Sequence, residues 1–130
     1  MRLTVRLDLP REAGSVPAVR RLLRSALAVL QVDAESGADL ELAITEACAN
    51  VVNHASGAES FEVLLEVGED HCAIDVRDDG AGFDLAAVGP PGVDTERGRG
   101  LFLIRALAEN VRMHSAPRHG SLIHFEKSFA

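Results

Sequence analysis

Three short clusters in the sequence carry the residue types that do chemistry. In TEACANVVNH, Glu46, Asn50 and Asn53 recur at helical spacing. On a helix turning about 100° per residue they fall within an arc of roughly 60°, beside the apolar stripe rather than in it. The i,i+4 pair Glu46 and Asn50 would hold its Cβ atoms about 5–6 Å apart, so a carboxylate and an amide oxygen address one small volume. One could act as a base while the other ligates a cation. Taken alone, E-x-x-x-N is most often a solvated helix face.

The second cluster is Asp78-Asp79-Gly80-Ala81-Gly82, a strand end running into two glycines. Glycine allows a close backbone approach, so an acidic residue before such a turn can meet a flat ligand edge-on. A carboxylate accepting from an exocyclic amine prefers adenine to guanine, whose carbonyl oxygen would face it unpaired. The plain alternative is a surface D-G turn. The third cluster, Arg97-Gly98-Arg99-Gly100, leads into LFLIRALAEN. A glycine-rich helix start offers N–H groups and the positive end of the macrodipole to an anion, with Arg97 and Arg99 in support. Leu85 and Leu103 stand where a third glycine would complete G-x-G-x-x-G, and no G-x-x-x-x-G-K-[ST] occurs, so Rossmann and Walker sites are excluded.

The elements that must position these clusters are legible from periodicity. Residues 2–8 alternate as a half-buried strand that Pro10 closes. Ser15 and Pro17 look like the cap and first turn of a helix reaching about Gln31. Gly37 and Asp39 open a second helix, with Leu40, Ile44, Ala47, Val51 and Ala55 on one stripe, ending near Ser56-Gly57. Runs at 60–67 and 72–77 form a hairpin through Gly68-Glu69-Asp70-His71. The stretch 84–97 reads as a mobile functional loop. Leu101, Ile104, Leu107 and Ala108 mark a third helix, and strands at 110–115 and 121–128 turn through Pro117 and Gly120. The order βααββ-loop-αββ predicts an α/β (α+β) two-layer sandwich, with helices on one face of a mixed, largely antiparallel sheet.

Composition narrows the function classes. The 130 residues are 47% hydrophobic and 25% charged, as expected of one domain over 1–130, which buries about two thirds of its unfolded surface without disulfide or structural metal. A net charge of −7, with Lys127 the only lysine, argues against general nucleic-acid binding. Cys48 and Cys72 form no C-x-x-C, and MRLTVRLDLP lacks a signal-peptide core, so a reducing, cytoplasmic setting is expected, with no membrane association. His54, His71, His114, His119 and His124 show no zinc spacing with the cysteines. Cys48 reads as a packed small hydrophobe, and Arg20, Arg21 and Arg24 as a solvated face or a docking surface for an acidic partner.

Together, E-x-x-x-N on a helix, D-x-G-x-G after a strand, G-x-G before a helix and Gly-Ser entering the last strand resemble the GHKL (histidine-kinase-like ATPase) superfamily. TEACANVVNH, VRDDGAGF, RGRGLFLIRALAENV and HGSLIHF fall in that family's order across essentially the whole chain. The sequence is most similar to bacterial anti-sigma-factor serine/threonine-protein kinases. The resemblance implies ATP and Mg²⁺ as cofactors, with Glu46 as catalytic base and Asn50 holding Mg²⁺ across the phosphates beside Asn53. It implies that Asp78 reads the adenine amine in a pocket shaped by Gly80 and Gly82, with Ser121, here in place of the commoner Thr, supporting the adenine end. Gly98, Arg99, Gly100 and Leu101 would offer amides to the phosphates. A STAS-type antagonist and a sigma factor are the implied protein partners, and relatives of this kind often form homodimers. Catalytic domains of sensor histidine kinases usually lack a glutamate at the position of Glu46, so a free-standing serine kinase is expected. The competing expectation is a non-catalytic ATP-gated binding module.

Overall fold

The computed structural model describes residues 1–81, 96–116 and 118–129. Chain order is β1 (Leu3–Pro10), α1 (Ser15–Val29), α2 (Ala34–His54), β2 (Ser60–Val67), β3 (His71–Asp78), α3 (Glu96–Leu107), β4 (Glu109–Ser115) and β5 (Ser121–Ser128). The strands form one sheet in the order β1-β2-β3-β5-β4, and all four pairings are antiparallel. This is the expected α+β sandwich.

Alternation sets which face of the sheet is covered. Phe61, Val63, Leu65 and Val67 of β2 pair with or neighbour Cys72, Ile74 and Val76 of β3, and Ile123 and Phe125 of β5 continue the same buried surface. A one-residue slip of any pairing would turn these side chains to solvent, so the apolar pattern itself fixes the register. Leu40, Ile44, Ala47, Cys48 and Val51 of α2 and Val19, Leu23 and Leu27 of α1 close the core from above. Each large apolar side chain so buried contributes roughly 1.5–3 kcal/mol relative to exposure. Lys127 fastens one end of the helical layer, donating to Asp39 of α2 at 2.9 Å and to the Leu107 carbonyl of α3 at 3.0 Å.

Several boundaries differ from the sequence reading, each for a local reason. Ser15 is not the cap of α1: Gly14 holds that position, and the Ser15 hydroxyl donates instead to the Pro10 carbonyl at 2.6 Å. That bond fastens the helix start to the end of β1, which includes Pro10 itself. Helix α1 stops at Val29, just before Gln31 adopts a left-handed φ of 54°. Helix α2 starts a turn earlier than its apolar stripe, because Asp33 caps it by accepting from the Ser36 N–H at 3.0 Å, a bond worth about 1 kcal/mol. Helix α3 also starts early, at Glu96, so the expected loop loses its last two positions to helix. The remainder of that loop, Gly82 and the turn position Pro117 lie outside the described residues. No helix among the described residues is long and apolar enough to cross a membrane.

Candidate active site

Helix α2 is the axis of the site. Its apolar stripe is pinned to the sheet, which leaves Glu46 and Asn50 half-buried along one edge and Asn53 exposed near its end. Because α3 runs beside α2, Gly100 comes against Glu46: a Cβ on Gly100 would lie 3.2 Å from a Glu46 carboxylate oxygen. A larger residue would narrow the space around that carboxylate. Gly98 falls in the first turn of α3, where a helix presents N–H groups without intrahelical partners. Gly100 and Leu101 stand one turn further in, and Leu101 is buried in the core. Arg99 is exposed. The structure thus gives Gly100 a steric role beside Glu46 and Leu101 a packing role.

At the other end of α2 the chain turns through Ala55, Ser56 and Gly57 and meets the segment following β3. A Cβ on Gly80 would lie 2.9 Å from the Ala55 carbonyl oxygen and 3.0 Å from that of Ser56, so only glycine fits without displacing backbone. The neighbouring Ala81 N–H donates to the Ser56 carbonyl at 2.7 Å. This contact holds Asp78, the last residue of β3, against the end of the helix.

Asp78 is only 6% exposed, the one buried carboxylate among the described residues. One carboxylate oxygen accepts from the Gly80 N–H at 2.9 Å, and the other accepts from the Ser121 hydroxyl. Asp78 and Ser121 are cross-strand partners in the β3–β5 pairing, which puts both side chains on the covered face. Each carboxylate oxygen keeps a further lone pair for a ligand donor. Gly120 completes the turn with a φ of +70°, and its missing Cβ is required as well by the adjacent Asp78 carbonyl. A cavity of about 460 Å³ opens across the ends of β3, β4 and β5, lined by Asp78, Gly120 and Ser121 and also by Arg77, His114 and Leu122, which alternate to the open face, and by no residue of α2. That volume lies in the range of small-molecule sites.

The three clusters picked out by spacing therefore converge on one helix. From Glu46 to Ala55 the axial rise is about 13 Å at ~1.5 Å per residue, a length that accommodates a base, a sugar and a chain of phosphates laid along α2. Gly120 is legible both as a hairpin turn and in the Gly-Ser step, but its closeness to the Asp78 carbonyl is not legible in the sequence.

The family sequence profile described as Histidine kinase-like ATPase domain matches residues 9–126. This chain belongs to that family. Among curated relatives, the serine-protein kinase RsbW of Oceanobacillus iheyensis is 38% identical over 109 residues, covering 74% of this chain and 68% of its own. The serine-protein kinase RsbW of Bacillus cereus strain Q1 is 28% identical over 121 residues, covering 84% and 76%. The solved RsbU and RsbW domains of a Mycobacterium tuberculosis protein superpose with a TM-score of 0.77 at 20% identity, over 98% of this chain and 32% of theirs. The histidine kinase domain of a blue-light activated kinase from Erythrobacter litoralis gives 0.53 at 14% identity, over 91% and 60%. These two likenesses show the fold. Within the histidine-kinase-like ATPases, this chain stands with the serine-protein kinases, and ATP is its nucleotide.

Two groups near the core take no part in this chemistry. Burial pushes the thiols of Cys48 and Cys72 up to about 12, so neither is a thiolate nucleophile at neutral pH.

Proposed function

We propose that this kinase acts as an anti-sigma factor: it binds a sigma factor and, using ATP, phosphorylates a serine of a STAS-type antagonist, its partner set by the nucleotide it holds. The observation that best supports the reading is the gathering along α2 of a half-buried carboxylate, Glu46, that faces a glycine-bearing helix start near the middle of the helix, and a buried, hydrogen-bonded carboxylate, Asp78, beyond its C-terminal end. The names and identities of the RsbW kinases support the partner class.

In this reading Asp78 accepts a hydrogen bond from the adenine amine, Ser121 holds the carboxylate oriented, and Gly80 keeps the pocket wall flat, a role the resemblance extends to Gly82. Asn53 flanks the phosphates, and the first turn of α3, with Gly98 and Arg99, faces the terminal ones. Gly100 and Leu101 set that turn against Glu46. Glu46 takes the proton of the serine hydroxyl as its oxygen bonds to the γ-phosphorus, and ADP leaves with the electrons of the broken P–O bond. Phosphoryl transfer asks mainly for positioning and charge neutralisation, so one oriented base suffices. Asn50 would hold Mg²⁺, which takes few protein ligands and keeps water and phosphate oxygens. When bound, the ion would neutralise phosphate charge. A half-buried amide oxygen one helical turn from a half-buried carboxylate is the kind of oxygen donor set that suits such a cation. The two buried cysteines accord with a cytoplasmic setting, and residues 1–130 would work as one domain, alone or as a homodimer.

The test is incubation with radiolabelled ATP, Mg²⁺ and the STAS-type protein encoded nearest to this one. Label should appear on a serine of that protein with the parent chain and vanish with Glu46→Ala. ATP binding without transfer to any candidate antagonist would favour the non-catalytic ATP-gated module instead.

A further inference from the structure

Arg11 follows β1 directly, yet its side chain serves the far end of α2. Its Nε donates to the Ala58 carbonyl at 2.8 Å and one terminal nitrogen donates to the Val52 carbonyl at 2.8 Å. Its backbone N–H donates to the Glu59 carbonyl at 2.9 Å. Val52 lies in the last turn of α2, where carbonyls lack intrahelical donors, and a guanidinium there also meets the negative end of the macrodipole. Ala58 lies just beyond the turn that leaves the helix. One planar fork thus spans the helix end and the segment after it, a geometry that suits arginine better than lysine.

What this clamp holds is the wall of the candidate site. Between Val52 and Ala58 lie Asn53 and the carbonyls of Ala55 and Ser56 that meet Gly80 and Ala81. Gly80 in turn donates to Asp78. A continuous chain of contacts therefore runs from Arg11 to the turn 55–58, to Gly80 and to the Asp78 carboxylate. The Arg11 side-chain hydrogen bonds named above both go to backbone carbonyls.

We propose that Arg11 is a positioning residue for nucleotide binding: by holding the C-terminal end of α2 and the 55–58 turn as one rigid unit, it sets the Gly80 wall and hence the Asp78 carboxylate. The inference rests on the reading of this site as the ATP site. Loss of the fork lets the 55–58 turn move away from Gly80, and ATP pays for restoring it on binding.

The test compares calorimetric titrations of MgATP into the parent chain, Arg11→Met, Arg11→Lys and Lys127→Met. Lys127→Met releases the opposite end of α2, together with the end of α3, and serves as a stability control. All titrations are run well below each variant's Tm. Arg11→Met should weaken ATP binding about tenfold, the loss expected for hydrogen bonds made by a charged donor. Arg11→Lys should fall between it and the parent, and Lys127→Met should bind as the parent does. Amide resonances of Gly80 and Ala81 should shift in Arg11→Met without nucleotide and stay in place in Lys127→Met. Equal ATP affinity in Arg11→Met and parent, or equal weakening in Arg11→Met and Lys127→Met, would overturn the role of Arg11 while leaving the ATP site standing. A parent chain that binds no MgATP would overturn the site reading and the role of Arg11 with it.

Discussion

The two faces of the sheet use charge in opposite ways. The covered face buries Val63, Leu65, Ile74, Val76, Ile123 and Phe125 and admits one carboxylate, Asp78, satisfied by a backbone N–H and a hydroxyl. The open face is laddered with charge: Arg2 pairs with Glu66 at 2.7 Å, Arg6 with Glu62 at 3.9 Å, and His124 lies between Asp75 at 2.6 Å and Glu126 at 2.8 Å. Exposed pairs of this kind contribute about 0–1 kcal/mol each. An ion taken out of water costs several kcal/mol before its partners repay it. A buried carboxylate at the end of a strand is therefore hard to explain as a stabilising device, and in the proposed reading its remaining lone pairs serve the nucleotide.

Substitutions above the covered face should act on function, and those on the open face on stability alone. The largest effect is expected at Glu46: Glu46→Ala should cut phosphoryl transfer on the order of 10²–10⁴-fold, the range for a general base, with ATP affinity largely kept. Turnover equal to the parent would remove Glu46 from the mechanism. Gly120→Ala comes next. A Cβ there meets the Asp78 carbonyl, and a left-handed backbone costs roughly 1–2 kcal/mol for an L-residue. Urea denaturation should show at least that loss, and an unchanged midpoint would show that the turn adapts freely.

Smaller still is the pH response of the open face. Partial burial works against a charged His124 ring, but hydrogen bonds to Glu126 and Asp75 outweigh it and hold the ring above the ordinary histidine value. The hydrogen bond from His124, opposed by burial and aided by Asn110, holds Glu126 below the ordinary carboxylate value. Arg112 stands across from His124 on β4, and His71 also lowers Glu126. The histidine contribution is complete below its unfolded value of about 6.5 and is lost as pH rises through the higher folded value. The Glu126 contribution is complete above about 4.3 and is lost as pH falls through the lower folded value. Stability from the cluster therefore peaks between those limits. His124→Gln should flatten the fall in Tm above pH 6.5, by a difference on the order of 1–3 °C, and a parental slope in the variant would assign that fall elsewhere. The smallest effect is expected for Arg2→Ala, whose partner Glu66 is an exposed pair: urea denaturation should register less than about 1 kcal/mol.

What the sequence disclosed and what it withheld divide along the length of the interactions. Strands β2 and β5 and the α2 stripe were legible because each announces itself within a few residues by period. The local geometry of the candidate site is legible for a related reason: Glu46 and Asn50 share a helix face, and Asp78 and Gly80 share a turn. Asp33 does not announce itself as a cap, because the apolar stripe it precedes begins only at Leu40, a full turn and more beyond. Helix α3 shows only through its apolar residues, so its polar first turn reads as loop. The contacts of Arg11 and Gly120 are out of reach for a different cause. Arg11 finds its carbonyls 41 and 47 positions away, and Gly120 meets Asp78 across a strand pairing. No local pattern encodes such meetings; they exist only once the sheet has closed.

If the buried Asp78 reads an adenine amine, the proof lies in titrating ATP and GTP into the parent chain and Asp78→Asn, with both confirmed folded. The parent should bind ATP and discriminate against GTP, whose carbonyl would face the carboxylate without a proton between them. Asp78→Asn should weaken ATP binding by roughly 1.5–3 kcal/mol, the range for a hydrogen bond to a charged group, and should narrow the gap between the two nucleotides. Undiminished ATP affinity in Asp78→Asn, with the preference over GTP intact, would contradict the account.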